Sequence, residues 1–227
     1  MSGVAAVFFD VDFTLIYPGP TFQAEGYEGF CARHGLAVDR SRFAAAVRAA
    51  SVVLEEAQHV HDDETYVLFT RRVIEGMGGT GPAVDACARE VFAEWAACHH
   101  FFMYDDVTPV LRELAARGLK LGLISNSHRC LTSFQRHFGL EGLIAATVTS
   151  SEHGYGKPHP SIFREALTRA GVEARESVMV GDSLVHDVEG ARRVGMRGVL
   201  LNRGRTPFRA ALDVPVIHGM SELPALL

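Results

Sequence analysis

The chain of 227 residues has few cysteines, no surplus of positive charge and no long apolar run. Its four cysteines are too widely spaced for a CxxC metal site or a dense disulfide framework, so we expect reduced, mostly packed thiols. A formal net charge of −5 offers no general attraction to nucleic acid, which we exclude as a partner. Because no signal-peptide pattern and no apolar run of about 18 residues occurs, we expect a cytoplasmic protein without a membrane partner.

Short apolar runs recur along the chain and predict strands that are buried on both faces of a parallel sheet. These runs occupy residues 4–9, 119–124, 145–149, 177–180 and 198–201. Stretches with apolar residues at helical spacing, each closed by a glycine, lie at 107–117, 131–138, 161–170 and 187–194. The repeated order of strand, helix and glycine predicts an α/β fold with a doubly wound parallel sheet.

Residues 16–104 interrupt this order. They contain no convincing strand, but they do contain alanine-rich helical stretches, at 41–57, 64–76 and 83–97. We therefore predict an α/β core formed by residues 1–15 and 105–227. An α-helical domain, residues 16–104, is inserted after the first strand.

Acidic and polar side chains follow the apolar runs directly. They are Asp10, Asp12 and Thr14 after the first run, Ser125 and Asn126 after the second, and Asp182 and Asp187 after the fourth. The carboxyl ends of parallel strands meet at one edge of a sheet, so four carboxylates are expected there. Two charges 4 Å apart repel by about 4 kcal/mol at an effective dielectric of 20, so a cation must compensate them. An oxygen-only donor set suits Mg²⁺, which takes a substrate phosphate as a further ligand.

Lysine is scarce: the chain has Lys120 and Lys157 against 20 arginines. Lys157 lies in a proline-rich loop, residues 156–160, where a compact ammonium group indicates a specific role. Each polar residue taken singly also fits a structural role, as a helix cap, a turn residue or a solvated charge. Taken together, they favour a catalytic site.

Four segments, in order, resemble the motifs of the haloacid dehalogenase-like (HAD) hydrolases. They are Asp10-x-Asp12-x-Thr14-Leu15, Ser125-Asn126, Lys157-Pro158 and Gly181-Asp182-x-x-x-x-Asp187. The resemblance implies a HAD-like core with the inserted helices as a C1-type cap domain. By similarity, Asp10 is the nucleophile that forms an aspartyl-phosphate. Asp12 would then serve as general acid and base.

The resemblance also assigns the remaining site residues. Asp10, the main-chain carbonyl of Asp12 and Asp182 would bind Mg²⁺, and Asp187 would be a ligand or would orient one. Thr14 and Ser125 would hydrogen-bond the phosphoryl oxygens, Asn126 would orient the nucleophile or the phosphate, and Lys157 would neutralise developing charge.

The departures from the family pattern reduce the number of possible reactions. Asp12 disfavours a 2-haloacid dehalogenase, which lacks an aspartate there, and the absence of lysine from residues 16–104 sets phosphonatases aside. The leading interpretation is a Mg²⁺-dependent phosphatase that acts on a small phosphorylated metabolite. We expect a monomer or a homodimer. A sugar-phosphate mutase and a catalytically silent binding module stay open as alternatives. Phe13 stands where glycine is common. Candidate residues for selecting the leaving group are His59, His61, Tyr66, Arg71, Arg72, His128 and Arg129.

Overall fold

The computed structural model describes residues 3–56, 59–204 and 212–227. The contacts within it divide the chain into two compact units: residues up to 17 with 103–227, and residues 18–102. Within the described residues, no helix combines the length and apolarity needed to cross a membrane.

The first unit is built on a parallel sheet of six strands. Its strands are β1 (Ala6–Phe9), β4 (Lys120–Ser125), β5 (Ile144–Thr149), β6 (Ser177–Gly181), β7 (Arg197–Leu201) and β8 (Val216–Ile217). Their spatial order is β5-β4-β1-β6-β7-β8, and every neighbouring pair is parallel. The predicted α/β class is confirmed, and the five predicted strands are present. The short edge strand β8 was not predicted, because two residues carry too little pattern.

Nine helices accompany the strands within the described ranges. They are α1 (Ala24–Arg33), α2 (Phe43–Glu56), α3 (Asp63–Gly76), α4 (Ala83–Trp95), α5 (Val107–Ala116), α6 (Leu131–His137), α7 (Ser150–His153), α8 (Pro160–Ala170) and α9 (Gly190–Arg192). In the first unit, α8 packs on β4 and β5, where Phe8, Ile162 and Phe163 belong to one buried cluster. Successive strand residues point to opposite faces of the sheet. Val7 and Phe9 therefore point to the face opposite Phe8, and they are buried there as well. The sheet is therefore covered on both sides.

The second unit is helical: α2 packs against α3, and α3 against α4. Two short strands, β2 (Ile16–Pro18) and β3 (Phe101–Met103), pair where the chain leaves and re-enters the first unit. The expectation of no strand within 16–104 was wrong at these two ends. Segments of three residues show no alternation to detect, although Ile16 and Phe101 are buried.

Candidate active site

The candidate site lies at the carboxyl end of β1, which is flanked by β4 and β6. Phe9, the last residue of β1, is in register with Leu123 of β4 and Val180 of β6, so β6 ends one residue beyond it and β4 two residues beyond it. Asp10 follows β1, and its main-chain N–H donates to the Val180 carbonyl at 2.9 Å. Ser125 ends β4, and Asp182 follows β6. The sheet itself thus brings the polar strand ends together.

Lys157 links two of the carboxylates. It is only 4% exposed, and its Nζ lies 2.6 Å from Asp10 Oδ1 and 2.6 Å from Asp187 Oδ1. Burial by itself would lower the pKa of Lys157, but the negative charges of the two aspartates hold that pKa above its ordinary value. The ammonium group therefore keeps its charge inside the site.

The neighbouring carboxyl groups hold their protons more tightly than ordinary aspartates do. Loss of hydration, followed by the negative charges of Asp10 and Asp187, raises the pKa of Asp182 to about 8. Burial raises the pKa of Asp187 to about 6, although Lys157 opposes the shift. Crowded negative charge contributes to both shifts; Asp187 is in addition almost fully buried, whereas Asp182 keeps an exposed surface.

These residues fit a divalent cation. Asp10, Asp182 and Asp187 each offer a carboxylate oxygen, and these oxygens lie within 4.8 Å of one another. Two cationic side chains, Lys157 and Arg129, pair with this group of four carboxylates, which includes Asp12. An oxygen-binding ion with two positive charges, such as Mg²⁺, balances this set.

Asp187 reaches the site through an irregular turn. Residues Leu184–Glu189 form a π-helical turn, in which the N–H of Val188 donates to the Ser183 carbonyl five residues earlier at 3.3 Å. A regular helix was predicted over 187–194, and only Gly190–Arg192 is α-helical. Asp187 Oδ2 accepts from the Ser183 N–H at 3.0 Å, which closes the wider turn. A Cβ on Gly181 would lie 2.2 Å from that same oxygen, so only glycine allows this approach.

Arg129 lies against Asp12. Its side chain is fully buried, and Nη1 lies 2.8 Å and 3.0 Å from the two oxygens of Asp12. Burial raises the pKa of Asp12, and the positive charge of Arg129 opposes that shift. Arg129 was predicted to be one of the residues that select the leaving group. In the structure its guanidinium holds the carboxylate of Asp12.

The other predicted phosphate-binding residues lie at the same edge of the sheet. Ser125 is buried, with Oγ 2.8 Å from Ser127 Oγ. Asn126 holds the main chain of Lys157: its Nδ2 donates to the Lys157 carbonyl at 2.8 Å, and its Oδ1 accepts from the Lys157 N–H at 2.7 Å. Thr14 Oγ1 is buried without a hydrogen-bond partner among the described residues. These contacts anchor the lysine loop beside β4.

A tight loop follows β1 and places Phe13 at its tip. The N–H of Phe13 donates to the Ile16 carbonyl at 2.7 Å, and Leu15 N–H donates to the Val11 carbonyl at 2.9 Å. Phe13 has a φ of 66°, in the left-handed region, and it is the one non-glycine residue there within the described ranges. Phe13 is 46% exposed.

A cavity of about 390 Å³ opens next to Phe13 and is also lined by Tyr104, Asp182 and Arg203. The Arg203 guanidinium lies 3.8 Å above the Tyr104 ring and donates to the Thr14 carbonyl through Nε at 3.2 Å. Its Nη1 also donates to Asp106 at 3.0 Å. Arg203 thus ties the loop after β1 to the start of α5. No motif pointed to Arg203, because its partners lie far away along the chain.

We predict that glycine at position 13 gives a more stable protein than alanine. A side chain in the left-handed region costs about 1–2 kcal/mol, a cost that alanine keeps and glycine removes. Phe13→Gly should therefore exceed Phe13→Ala by about 1 kcal/mol in free energy of unfolding, measured by urea denaturation. At exposed positions of ordinary conformation, the order is the reverse. An alanine variant as stable as the glycine variant would show that the main chain at position 13 is not strained.

Several candidate selector side chains already have partners within the second unit. Arg71 Nη2 lies 2.7 Å from Asp85 Oδ1, and Arg72 Nη1 lies 2.9 Å from Glu75 Oε2. His61 Nε2 lies 2.8 Å from Asp63. The ring of Tyr66 is stacked at 6.1 Å on Phe92, and His59 is exposed.

Known proteins resemble this chain in sequence and in structure. Residues 4–195 match the family model of the haloacid dehalogenase-like hydrolases. The chain is similar to the glyceraldehyde 3-phosphate phosphatase of Methanopyrus kandleri, with 33% identity over 208 residues covering 89% of this chain and 85% of that protein. Two crystal structures are also similar. A HAD phosphatase from Thermococcus onnurineus has 26% identity and a TM-score of 0.69, with 98% of this chain and 97% of that chain covered. A 2-haloacid dehalogenase from Pseudomonas syringae pv. Tomato DC3000 has 27% identity, a TM-score of 0.66 and the same coverage.

Proposed function

This chain belongs to the haloacid dehalogenase-like hydrolases, and on that premise we propose that it is a Mg²⁺-dependent phosphatase of small phosphomonoesters that works through an aspartyl-phosphate. One observation supports this most. In the buried Asp10 carboxylate, Oδ1 accepts a hydrogen bond from Lys157 Nζ, whereas Oδ2 has no hydrogen-bond partner among the described residues. An electron pair on that oxygen is available for attack on phosphorus. We further propose that the second unit is a mobile cap that excludes bulk water and selects the leaving group.

In the first step, Asp10 Oδ2 forms a bond to phosphorus and the ester oxygen leaves. Lys157 holds the other oxygen of Asp10 at 2.6 Å, which limits rotation of the carboxylate. The same ammonium group counters the negative charge that builds up on the phosphoryl oxygens. Ser125 and Thr14 supply hydroxyl groups for these oxygens.

Asp12 is the proposed proton donor to the leaving oxygen. Because burial raises its pKa, a proton is held there more readily than on an ordinary aspartate. After the alcohol departs, the ionised Asp12 takes a proton from the water that attacks phosphorus. That attack cleaves the bond between phosphorus and Asp10, and inorganic phosphate is released.

The metal would be held by Asp10 and Asp182, with the main-chain carbonyl of Asp12 as a third ligand. When bound, it supplies positive charge beside the phosphoryl oxygens. Asp187, which pairs with Lys157 and the Ser183 N–H, would orient these groups.

Two rival reactions make different products. A dehalogenase releases halide from a haloacid, and its family pattern lacks an aspartate at position 12. A mutase transfers the phosphoryl group to a sugar and releases little inorganic phosphate. The paired Asp12 and Arg129 favour the phosphatase over the dehalogenase.

The deciding experiment is a panel of phosphorylated metabolites assayed for phosphate release with Mg²⁺, Mn²⁺ or Co²⁺. Glyceraldehyde 3-phosphate, phosphoglycolate, a nucleoside monophosphate, a sugar phosphate and a chromogenic aryl phosphate should be included, with a 2-haloacid assayed for halide. We expect phosphate release that chelation abolishes. Halide release, or no turnover with any metal, would reject the proposal.

Arg129→Met is predicted to lower kcat by about 100-fold with little change in KM. The variant removes the group that holds the Asp12 carboxylate, while the phosphoryl-binding residues stay in place. Arg129→Lys should recover part of the rate, and Arg136→Met on α6, where Arg136 lies 3.6 Å from Glu141, is the control. A lower melting temperature with unchanged kcat would restrict Arg129 to a structural role.

Mg²⁺ affinity is predicted to increase with pH. In the metal-free protein, Asp182 has a pKa of about 8, so near neutrality it holds a proton that the metal must displace. Affinity should rise by at most about tenfold per pH unit up to pH 8 and level off above it. Titration calorimetry over this range tests the prediction, with Asp182→Asn as the variant that loses both the dependence and most of the affinity. An affinity that is constant with pH would contradict it.

A further inference from the structure

Three metal-binding side chains meet in the second unit, among residues to which neither the family motifs nor the proposed reaction gives a role. Glu94 lies in the last turn of α4, and His99 and His100 lie in the 3₁₀ turn Cys98–His100 that follows. Each offers one ligand atom, and these atoms lie within 4.8 Å of one another. Two imidazoles and a carboxylate form a donor set typical of Zn²⁺ sites, unlike the carboxylate cluster at β1.

His100 is held in place from several sides. Its Nε2 lies 2.8 Å from Glu94 Oε2, and its Nδ1 lies 3.1 Å from Thr21 Oγ1. Its carbonyl accepts from the Gly19 N–H at 2.8 Å, and its ring meets Phe22 edge-on at 5.5 Å. In the tautomer whose Nδ1–H donates to Thr21, the Nε2 lone pair points towards Glu94. Metal-binding histidines are commonly oriented by such a partner on the other ring nitrogen.

The negative charge of Glu94 also favours a bound cation. Glu94 is near the carboxyl end of α4, where the helix dipole is negative, and no basic residue lies in the last turn of this fully described helix. The rings of His99 and His100 are only 4.0 Å apart, which places two imidazole ligands beside Glu94. A divalent ion neutralises Glu94 while both imidazoles remain neutral.

A second histidine–glutamate pair in the same unit provides a comparison. His34 Nε2 lies 2.5 Å from Glu90 Oε2, and Arg33 Nη2 lies 2.7 Å from the other oxygen. There an arginine supplies the positive charge. At Glu94, a ligand atom of His99 lies within 4.8 Å of the carboxylate, and no hydrogen bond engages the His99 ring within the described part of the chain.

We propose that Glu94, His99 and His100 bind a borderline divalent transition-metal ion of the Zn²⁺ type, separately from the carboxylate site. The ion would join the end of α4 to the turn that precedes β3. Thr21 acts as a positioning residue through the ring of His100.

The test uses the full chain after chelation, carrying Asp182→Asn to weaken the carboxylate site and kept in excess Mg²⁺. Zn²⁺ is titrated by calorimetry, and Co²⁺ by its visible absorption, which is intense for four-coordinate cobalt and weak for six-coordinate cobalt. We expect one equivalent of either ion and strong cobalt bands. Thr21→Val should weaken binding by about 10–100-fold, and His99→Ala should weaken it at least as much.

His34→Ala is the matched control and should leave binding unchanged. His100→Gln disturbs packed aromatic rings, so the exposed His99 provides the decisive variant. Binding that is absent, or that is equal in the parent, His99→Ala and Glu94→Gln proteins, would overturn the proposal. Since no substrate is used, the result is independent of the phosphatase activity.

Discussion

Asp10→Asn is expected to reduce phosphate release by about 10⁴-fold or more, because an amide cannot take the place of the attacking carboxylate. The fold should survive, since Lys157 still pairs with Asp187 at 2.6 Å. Removing one negative charge from a crowded acidic cluster also relieves repulsion in the metal-free protein. The measurement is the initial rate with the best substrate of the panel, alongside circular dichroism and thermal unfolding.

A second readout makes this test specific to the covalent step. Acid-quenched wild-type enzyme should gain the mass of one phosphoryl group on the peptide that contains Asp10, and Asp10→Asn should not. Asp213→Asn, at a fully exposed side chain, is the control for the chemical change and should behave as wild type. A phosphorylated peptide that persists in the Asp10→Asn enzyme would assign the nucleophile elsewhere.

Lys157→Met is expected to cost about 3–5 kcal/mol in free energy of unfolding and to abolish activity. The substitution leaves the buried carboxylates of Asp10 and Asp187 without their cation. Asp187, whose pKa burial already raises to about 6 in the wild type, loses the cation that opposes this shift, so its pKa in the folded variant rises further. A raised carboxyl pKa stabilises at low pH and loses this effect as pH increases. The deficit relative to wild type should therefore be larger at about pH 8 than at about pH 5.

The chain offers a matched control, because its other lysine is remote from the site. Lys120 Nζ donates to the Ala170 carbonyl at 2.7 Å, and Lys120→Met should change stability by less than about 1 kcal/mol. The free energy of unfolding of each variant is measured by urea denaturation at several pH values. A chelator is present so that no bound metal ion replaces the lost positive charge. Lys157→Arg should not restore activity, since the broader guanidinium does not fit a site for a compact ammonium. If Lys157→Met lost the same free energy of unfolding at both pH values, the proposed charge compensation of Asp10 and Asp187 by Lys157 would be contradicted.

The strand ends were predictable because a buried parallel strand is a local pattern. Uniformly apolar runs indicate where β1, β4 and β6 end, and the polar residues that follow are adjacent in sequence. Parallel pairing then places those ends at one edge whatever the connections. For this reason, local pattern alone was enough to group the carboxylates with Ser125.

The contacts of Arg129 and Arg203 were not predictable in the same way. Arg129 follows Ser125 and Asn126 closely, yet nothing local distinguishes a guanidinium that faces a ligand from one that faces Asp12. Arg203 meets the Thr14 carbonyl across 189 positions of sequence. Such pairings depend on where remote segments pack.

The sequence alone therefore determined the α/β class, the polar strand ends and the scarcity of lysine that pointed to Lys157. Each of these is a local property: periodicity, adjacency or composition. Only the tertiary structure decided which cation faces which carboxylate, how the π-helical turn brings Asp187 to Gly181, and that Glu94, His99 and His100 meet. The physical reason is that charge pairing and coordination depend on distances of a few ångströms. Long-range packing sets those distances, and spacing along the chain does not.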